Sequence, residues 1–166
     1  MEIKKATLDD YNIIYDIAHR TWYRTYTSIL SAEQLEYMLD MMYSREAITE
    51  QIDIKGHRFL LVSDEGVTIG FASYEMNHQT DTTRLHKLYI LPDIQGKGAG
   101  RLLMAAVEEA ARQGGNSSVV LNVNRYNPAY QFYLKCGYKK VGEEDIDIGR
   151  GYFMEDYIMG KTLKSL

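Results

Sequence analysis

Thr82-Thr83-Arg84-Leu85-His86-Lys87-Leu88-Tyr89-Ile90-Leu91 is followed by Pro92-Asp93, then by Gln95-Gly96-Lys97-Gly98-Ala99-Gly100-Arg101, and from Leu102 to Arg112 by apolar residues at helical spacing. This order predicts strand, glycine loop, helix. The first turn of a helix has backbone N–H groups with no partner inside the helix and carries the positive end of its dipole. A loop stripped of side chains at that point makes an anion site. Gly96, Gly98 and Gly100 open the approach for a phosphate, and Lys97 and Arg101 add positive charge.

Two familiar phosphate loops do not fit. A nucleoside-triphosphate loop needs Gly-Lys-Ser/Thr at its end, whereas Gly100 leads into Arg101-Leu102, with no hydroxyl for magnesium. A dinucleotide fingerprint starting at Gly96 needs Gly where Arg101 stands and an acidic residue about 20 residues on, at the end of the next strand. That strand ends Asn122-Val123-Asn124.

Gln95-x-x-Gly98-x-Gly100, reached from a strand ending Leu88-Tyr89-Ile90-Leu91-Pro92, resembles the acetyl-coenzyme A loop of the GNAT superfamily of N-acetyltransferases. About 30 residues downstream, Asn127-Pro128-Ala129 and Phe132-Tyr133-x-Lys135-x-Gly137-Tyr138 resemble that family's second signature. The resemblance implies an α/β (α+β) fold: a mixed, mostly antiparallel sheet of about six to seven strands flanked by helices, with a βαβ coenzyme-binding unit. It implies acetyl-CoA as cofactor, with the pyrophosphate on the loop Gln95, Gly96, Lys97, Gly98, Ala99, Gly100 and Arg101. The pantetheine arm would run along Leu88, Tyr89 and Ile90, and Asn127 matches the family's coenzyme-contacting asparagine.

Composition sets the bounds. With 166 residues, 45% hydrophobic and 25% charged, the chain has the size of one domain, expected to span 1–166, with a sizeable core. A net charge of -4 and a pI near 5.6 argue against general nucleic-acid binding and suit a cationic substrate. One cysteine, Cys136, excludes an internal disulfide and any multi-cysteine zinc site. Met1-Glu2-Ile3-Lys4-Lys5 has no apolar signal core, and no run approaches the roughly 18 apolar residues of a membrane span. The expectation is a soluble, cytoplasmic protein with no membrane partner. His19, His57 and His78 are scattered without metal-ligand spacing, so no metal site is expected.

Taken in order, Ile3 to Ala6 reads as a short strand, and Thr7-Leu8-Asp9-Asp10 as a helix start. Tyr11, Ile14, Tyr15, Ile17 and Ala18 give an amphipathic helix to about His19, and Trp22 to Leu30 an irregular aromatic bridge. Ser31 opens a second helix with Leu35, Met38, Leu39 and Met42 on one face, and Ser44 to Ile54 a third. Phe59 to Val62 and Val67 to Tyr74 form a hairpin turning at Asp64-Glu65-Gly66. In the next strand, alternation puts Leu85, Lys87, Tyr89 and Leu91 on one side and Arg84, His86, Leu88 and Ile90 on the other. The helix after the glycine loop turns Leu102, Leu103, Ala106, Val107 and Ala110 inward and stops at Gly114-Gly115. Val119 to Val123 reads as a buried parallel strand, completing a right-handed βαβ unit. Pro128 to Lys135 forms a short helix. Lys139 to Ile148 and Tyr152 to Leu163 form a closing hairpin, whose exposed terminal strand leaves pairing into a homodimer open.

Acetyl transfer from a thioester to an amine needs a neutral amine, a polarised carbonyl and a proton for the thiolate; an alkyl ammonium of pKa about 10.4 must lose its proton first. By resemblance Tyr133 stands beside the coenzyme sulfur, and a phenol of pKa about 10 stays protonated and can donate to the thiolate. His86, two residues before Leu88, is the candidate base, with Glu33, Glu75 and Asn122 as alternatives. The amide near Leu88 is placed to face the thioester oxygen. In the family the N-terminal segment covers the acceptor, which makes Trp22, Tyr26, Glu33 and Asn122 candidate substrate contacts. Cys136 reads as a small packed residue.

Thr21-Trp22-x-x-Thr25-Tyr26, the Ser-Ala-Glu-Gln helix start and Ile158 to Leu163 are similar to the bacterial spermidine/polyamine acetyltransferase branch. The resemblance therefore implies a small-molecule amine acceptor, a polyamine in the leading reading. The alternatives are a peptide or protein N-terminal acetyltransferase, with an open groove in place of a closed acid-lined tunnel, and a non-catalytic coenzyme A-binding sensor.

Overall fold

The computed structural model describes residues 1–164. A seven-stranded sheet runs in the order β1-β2-β3-β4-β5-β7-β6, built from β1 (Glu2–Lys5), β2 (Arg58–Asp64), β3 (Val67–Gln79), β4 (Thr82–Ile90), β5 (Ser118–Asn124), β6 (Lys139–Gly149) and β7 (Tyr152–Thr162). Only β4 and β5 pair in parallel; every other neighbouring pair is antiparallel. Helices α1 (Tyr11–Tyr26), α2 (Ala32–Tyr43) and α3 (Arg45–Asp53) precede β2. Helix α4 (Ala99–Gln113) links the parallel strands, and α5 (Ala129–Lys135) follows β5.

Two apolar clusters hold these layers together. On one face of the sheet, Leu103, Met104, Val107 and Ala111 of α4 pack on Leu60, Val62, Leu85, Val119 and Leu121. On the other, Ile14, Ile17 and Trp22 of α1 and Leu35, Met38 and Leu39 of α2 pack on Phe59, Leu61 and Phe71. Residues alternating along β2 thus feed both cores, as strands covered on both faces require. No helix among the described residues is long and apolar enough to cross a membrane.

Several boundaries differ from the expectations, each for a physical reason. Thr7 and Asp10 do form a capping box, with Thr7 N–H donating to Asp10 Oδ2 at 3.0 Å, but it caps a 3-10 turn over Leu8–Asp10 that leads into α1. Helix α1 runs on through Tyr26, because Trp22 and Tyr26 continue its buried stripe. On α4, Leu102 is exposed while Met104 and Ala111 are buried, so the inward face is rotated from the expected one. The terminal strand β7 lies inside the sheet between β5 and β6, and the free edge belongs to β6.

The alternation expected along β4 also breaks. Tyr74 pairs with Leu85 but Ser73 with Lys87, so β4 carries one extra residue, a β-bulge at His86. Leu85 joins the α4 cluster while Lys87 points to the opposite face, where its Nζ donates to Gln51 Oε1 on α3 at 2.8 Å beneath the rings of Tyr43 and Phe59.

Burial pulls the Lys87 ammonium down to about 7, with Lys55 adding to the shift. The unfolded chain holds this proton up to about pH 10.4, so between pH 7 and that value it binds more protons than the folded chain. Stability from this group therefore rises with pH, by about 2 kcal/mol from pH 7 to 9. The stability of Lys87→Met relative to the parent should fall by that amount over the same interval in urea titrations. A difference that does not vary with pH would mean that Lys87 is solvated in the folded protein.

Candidate active site

Strands β4 and β5 pair only from Thr82–Leu85 with Ser118–Leu121. Beyond that register β4 stays bonded to β3 as far as Ile90, and β5 to β7 as far as Asn124, so the two strands part. A bulge bends and twists its strand, and the bulge at His86 lies at the point of separation. The parted strands open a cleft of about 960 Å³ that runs from the glycine loop to α1 and α2. From His86 to Ile90 the edge of β4 facing the cleft has no strand partner, and its backbone groups are free to pair with an extended ligand.

At one end of the cleft the loop enters α4. Gly98 caps the helix with φ 88°, a left-handed conformation that suits glycine, and a Cβ there would meet no atom within 4 Å. The Leu102 N–H, bonded to the Gly98 carbonyl at 3.1 Å, opens the helical ladder, so the amides ahead of it have no carbonyl to receive them. Gly96, Gly98, Gly100 and Arg101 border the cleft; Lys97 is exposed and does not. Gly100 has a different task from the one expected: a Cβ there would come within 3.1 Å of the Phe132 ring, so it lets α4 and α5 approach. Gln95 donates to the Ile90 carbonyl at 3.2 Å and ties the loop to the end of β4. The side chain of Ala99 is buried in the core, which leaves only its backbone for a ligand.

The remaining expected residues divide. Tyr133 and Asn127 border the cleft. Asn127 Oδ1 accepts from the Ala129 N–H at 2.9 Å, starting α5, while its Nδ2 donates to the Tyr26 hydroxyl at 3.0 Å. Trp22 and Tyr26, expected at the substrate, are 1% and 4% exposed and back the cleft as parts of the aromatic core. Glu33 sits on the exposed start of α2 away from the cleft, because Leu35, Met38 and Leu39 set the buried face of that helix; Met38, Met41 and Met42 border the cleft instead.

Asp156 on β7 was not anticipated. It is 5% exposed, borders the cleft, and its Oδ1 is buried without a hydrogen-bond partner among the described residues. Its Oδ2 accepts from Asn122 Nδ2 at 3.2 Å, and the same nitrogen reaches Glu144 Oε1 at 2.8 Å. Burial pushes the Asp156 carboxyl up, and its charge helps to raise the hydroxyls of Tyr26 and Tyr89. Burial also pushes the Tyr133 phenol up, keeping it protonated. The one sequence cue for Asp156 was an acid inside the otherwise apolar strand Tyr152–Thr162.

His86 borders the cleft, but its Nε2 lies 2.9 Å from Glu75 Oε1 and its ring stacks on His57 at 3.9 Å. His78 Nδ1 is 3.2 Å from the same oxygen. Three histidines expected to be scattered therefore meet around one carboxylate. Their spacing along the chain hid this, because the meeting is made across β3, β4 and the residue before β2.

A splayed parallel pair, a glycine loop on a helix N-terminus and a tyrosine on the following helix define an acetyl-CoA-dependent acyltransferase site. The acetyltransferase (GNAT) domain profile matches residues 26–151, and the chain belongs to that family. It is similar to the spermidine N(1)-acetyltransferase of Thermoplasma acidophilum, 29% identical over 163 residues that cover 93% of this chain and 96% of that protein. It is also similar to the aminoalkylphosphonate N-acetyltransferase of Salmonella typhimurium, 26% identical over 144 residues, 84% of this chain and 85% of the relative. Among solved structures, the PaiA N-acetyltransferase of Thermoplasma acidophilum in complex with coenzyme A superposes with a TM-score of 0.82 at 28% identity, over 98% of each chain. The chain is thus a GNAT N-acetyltransferase that uses acetyl-CoA, with a small-molecule amine as acceptor.

Proposed function

We propose that the chain, as one acetyl-CoA-binding domain over 1–166, of which 165–166 lie outside the described residues, acetylates a polyamine or similar alkyl diamine. The observation that carries this reading is the unpaired, buried Oδ1 of Asp156. A buried carboxylate without a partner is costly, and an ammonium entering the cleft supplies one. The Asn122 amide holds Glu144 beside Asp156, which gives a second amine an anionic neighbour, and the Met38, Met41 and Met42 wall suits an aliphatic spacer. The spermidine acetyltransferase relative agrees in substrate class.

In this reading the pyrophosphate of acetyl-CoA lies on the loop amides around Gly98, and the pantetheine arm pairs with the free edge of β4. Asp156, with its raised pKa, takes the proton from the ammonium, a role that passes to it from His86, whose Nε2 is held by Glu75. The neutral amine attacks the thioester carbonyl, the Leu88 amide receives the oxyanion, and collapse expels the thiolate, which Tyr133 protonates. A single half-buried free thiol at Cys136 needs no oxidising compartment, in keeping with a cytoplasmic enzyme.

A second reading has one observation in its favour. Arg84 borders the cleft with its Nε buried and unpartnered, which suits an amine that also carries an anionic group, such as an aminoalkylphosphonate or a peptide. Release of coenzyme A thiol from acetyl-CoA against polyamines, diamines, aminoalkylphosphonates, amino acids and short peptides separates the two. Turnover is expected on polyamines, and Asp156→Asn should lower kcat/KM for them on the order of 100-fold. Turnover confined to acidic amines, untouched by Asp156→Asn, would replace the first reading with the second. Tight coenzyme binding with no acceptor turned over would favour a sensor.

A further inference from the structure

The meeting of His57, His78 and His86 at Glu75 takes three of the four histidines of the chain. Two departures from a regular ladder create it. One is the β4 bulge that presents His86. The other is a break in the pairing of β3 between Glu75 and Gln79, where Asn77 has φ 54° and exchanges bonds with Asn116: its N–H reaches Asn116 Oδ1 at 3.0 Å and its Oδ1 accepts from Asn116 Nδ2 at 2.7 Å. That kink brings His78 back onto Glu75.

The cluster is not satisfied by its own hydrogen bonds. His57 is 9% exposed, its Nδ1 is buried without a partner among the described residues, and its Nε2 stops 3.6 Å from Glu75 Oε1, beyond a good hydrogen bond. An unsatisfied buried imidazole facing a carboxylate leaves a place for a ligand that accepts lone pairs from both. We propose that His57, Glu75 and His86, with His78 as a fourth donor, form a binding site for one divalent transition-metal ion of the zinc type.

The distances fit such an ion. Donor atoms of His57, Glu75 and His86 lie within 4.8 Å of one another, and Glu75 Oε1 stands 3.6, 2.9 and 3.2 Å from the nitrogens of His57, His86 and His78. A tetrahedral zinc with arms of about 2.0–2.2 Å has edges of about 3.3 Å, so a small inward turn of the rings closes the set. Imidazole and carboxylate donors favour zinc, cobalt or nickel over magnesium or calcium, which take oxygen. Metal binding needs neutral imidazoles; burial, with Lys87 close by, holds the His57 ring down to about 4, and burial lowers His86 as well. The ion would tie β3, β4 and the segment before β2 together, and it does not depend on which amine is acetylated.

The test uses untagged full-length protein, stripped with a chelator and free of coenzyme. Titration with cobalt(II) should give one equivalent bound with the visible d–d bands of a tetrahedral site, displaced by zinc. In long-range proton–nitrogen spectra of the unaltered protein, zinc should move the ring nitrogens of His57, His78 and His86 and leave His19 in place. His57→Gln should weaken cobalt binding by at least about 100-fold, a loss no smaller than that of an outer-shell partner. Binding absent, non-stoichiometric, equally strong in His57→Gln, or with only His19 shifted would overturn the site. The spectra of the unaltered protein decide the matter even if the variant folds poorly.

Discussion

Replacing Tyr133 with Phe is expected to lower kcat by about 10- to 1,000-fold while the Kd for coenzyme A stays within a factor of about 2. The substitution removes one oxygen and keeps the ring that packs edge-on against Phe132 and Tyr138, so the core is undisturbed. With the hydroxyl gone, the departing thiolate must take its proton from water. Because the interaction arises as the thiolate forms, the loss belongs in kcat and not in binding. Stopped-flow turnover with saturating acetyl-CoA, beside calorimetric titration of coenzyme A, reads the two separately. Equal losses in both would make Tyr133 a structural residue, and unchanged turnover would remove it from the chemistry.

Gly98→Glu should weaken coenzyme A binding by more than about 100-fold, since a carboxylate facing a pyrophosphate costs several kcal/mol. The side chain has open space to enter, and that space is where the helix amides point. Any residue with a Cβ also pays about 1–2 kcal/mol for the left-handed conformation. Gly98→Ala carries the same strain without the charge and is the proper reference. The two variants should melt at similar temperatures, and the glutamate alone should lose the coenzyme. Comparable affinity in both would show that the pyrophosphate does not rest on this loop.

Much of the chain could be read locally. The strand, the glycine loop and α4 follow from a proline stop, glycines and helical spacing within about thirty residues, and both the family and its coenzyme are carried by that stretch together with Asn127 and Tyr133. The misread elements lie where packing overrides local pattern. The apolar and aromatic residues of Trp22 to Tyr26 looked irregular because a stripe of Trp and Tyr is ambiguous until a sheet face is there to receive it. The β4 alternation failed at His86 because a bulge is set by the pairing of two strands, and neither strand alone records it.

The candidate acceptor residues show the same division. Glu33 was singled out for its charge, but a helix turns its apolar face to the core and carries its first-turn acids into water. Asp156 escaped notice because its burial depends on β7 entering the sheet between β5 and β6, and the four residues of the histidine cluster come from separate segments. Sequence alone determined the phosphate-binding loop, the helix behind it and the family, since these rest on backbone conformation and spacing within one short segment. Only the tertiary structure decided which charged groups face the cleft and which histidines meet, because burial and convergence are properties of strands brought together across the sheet.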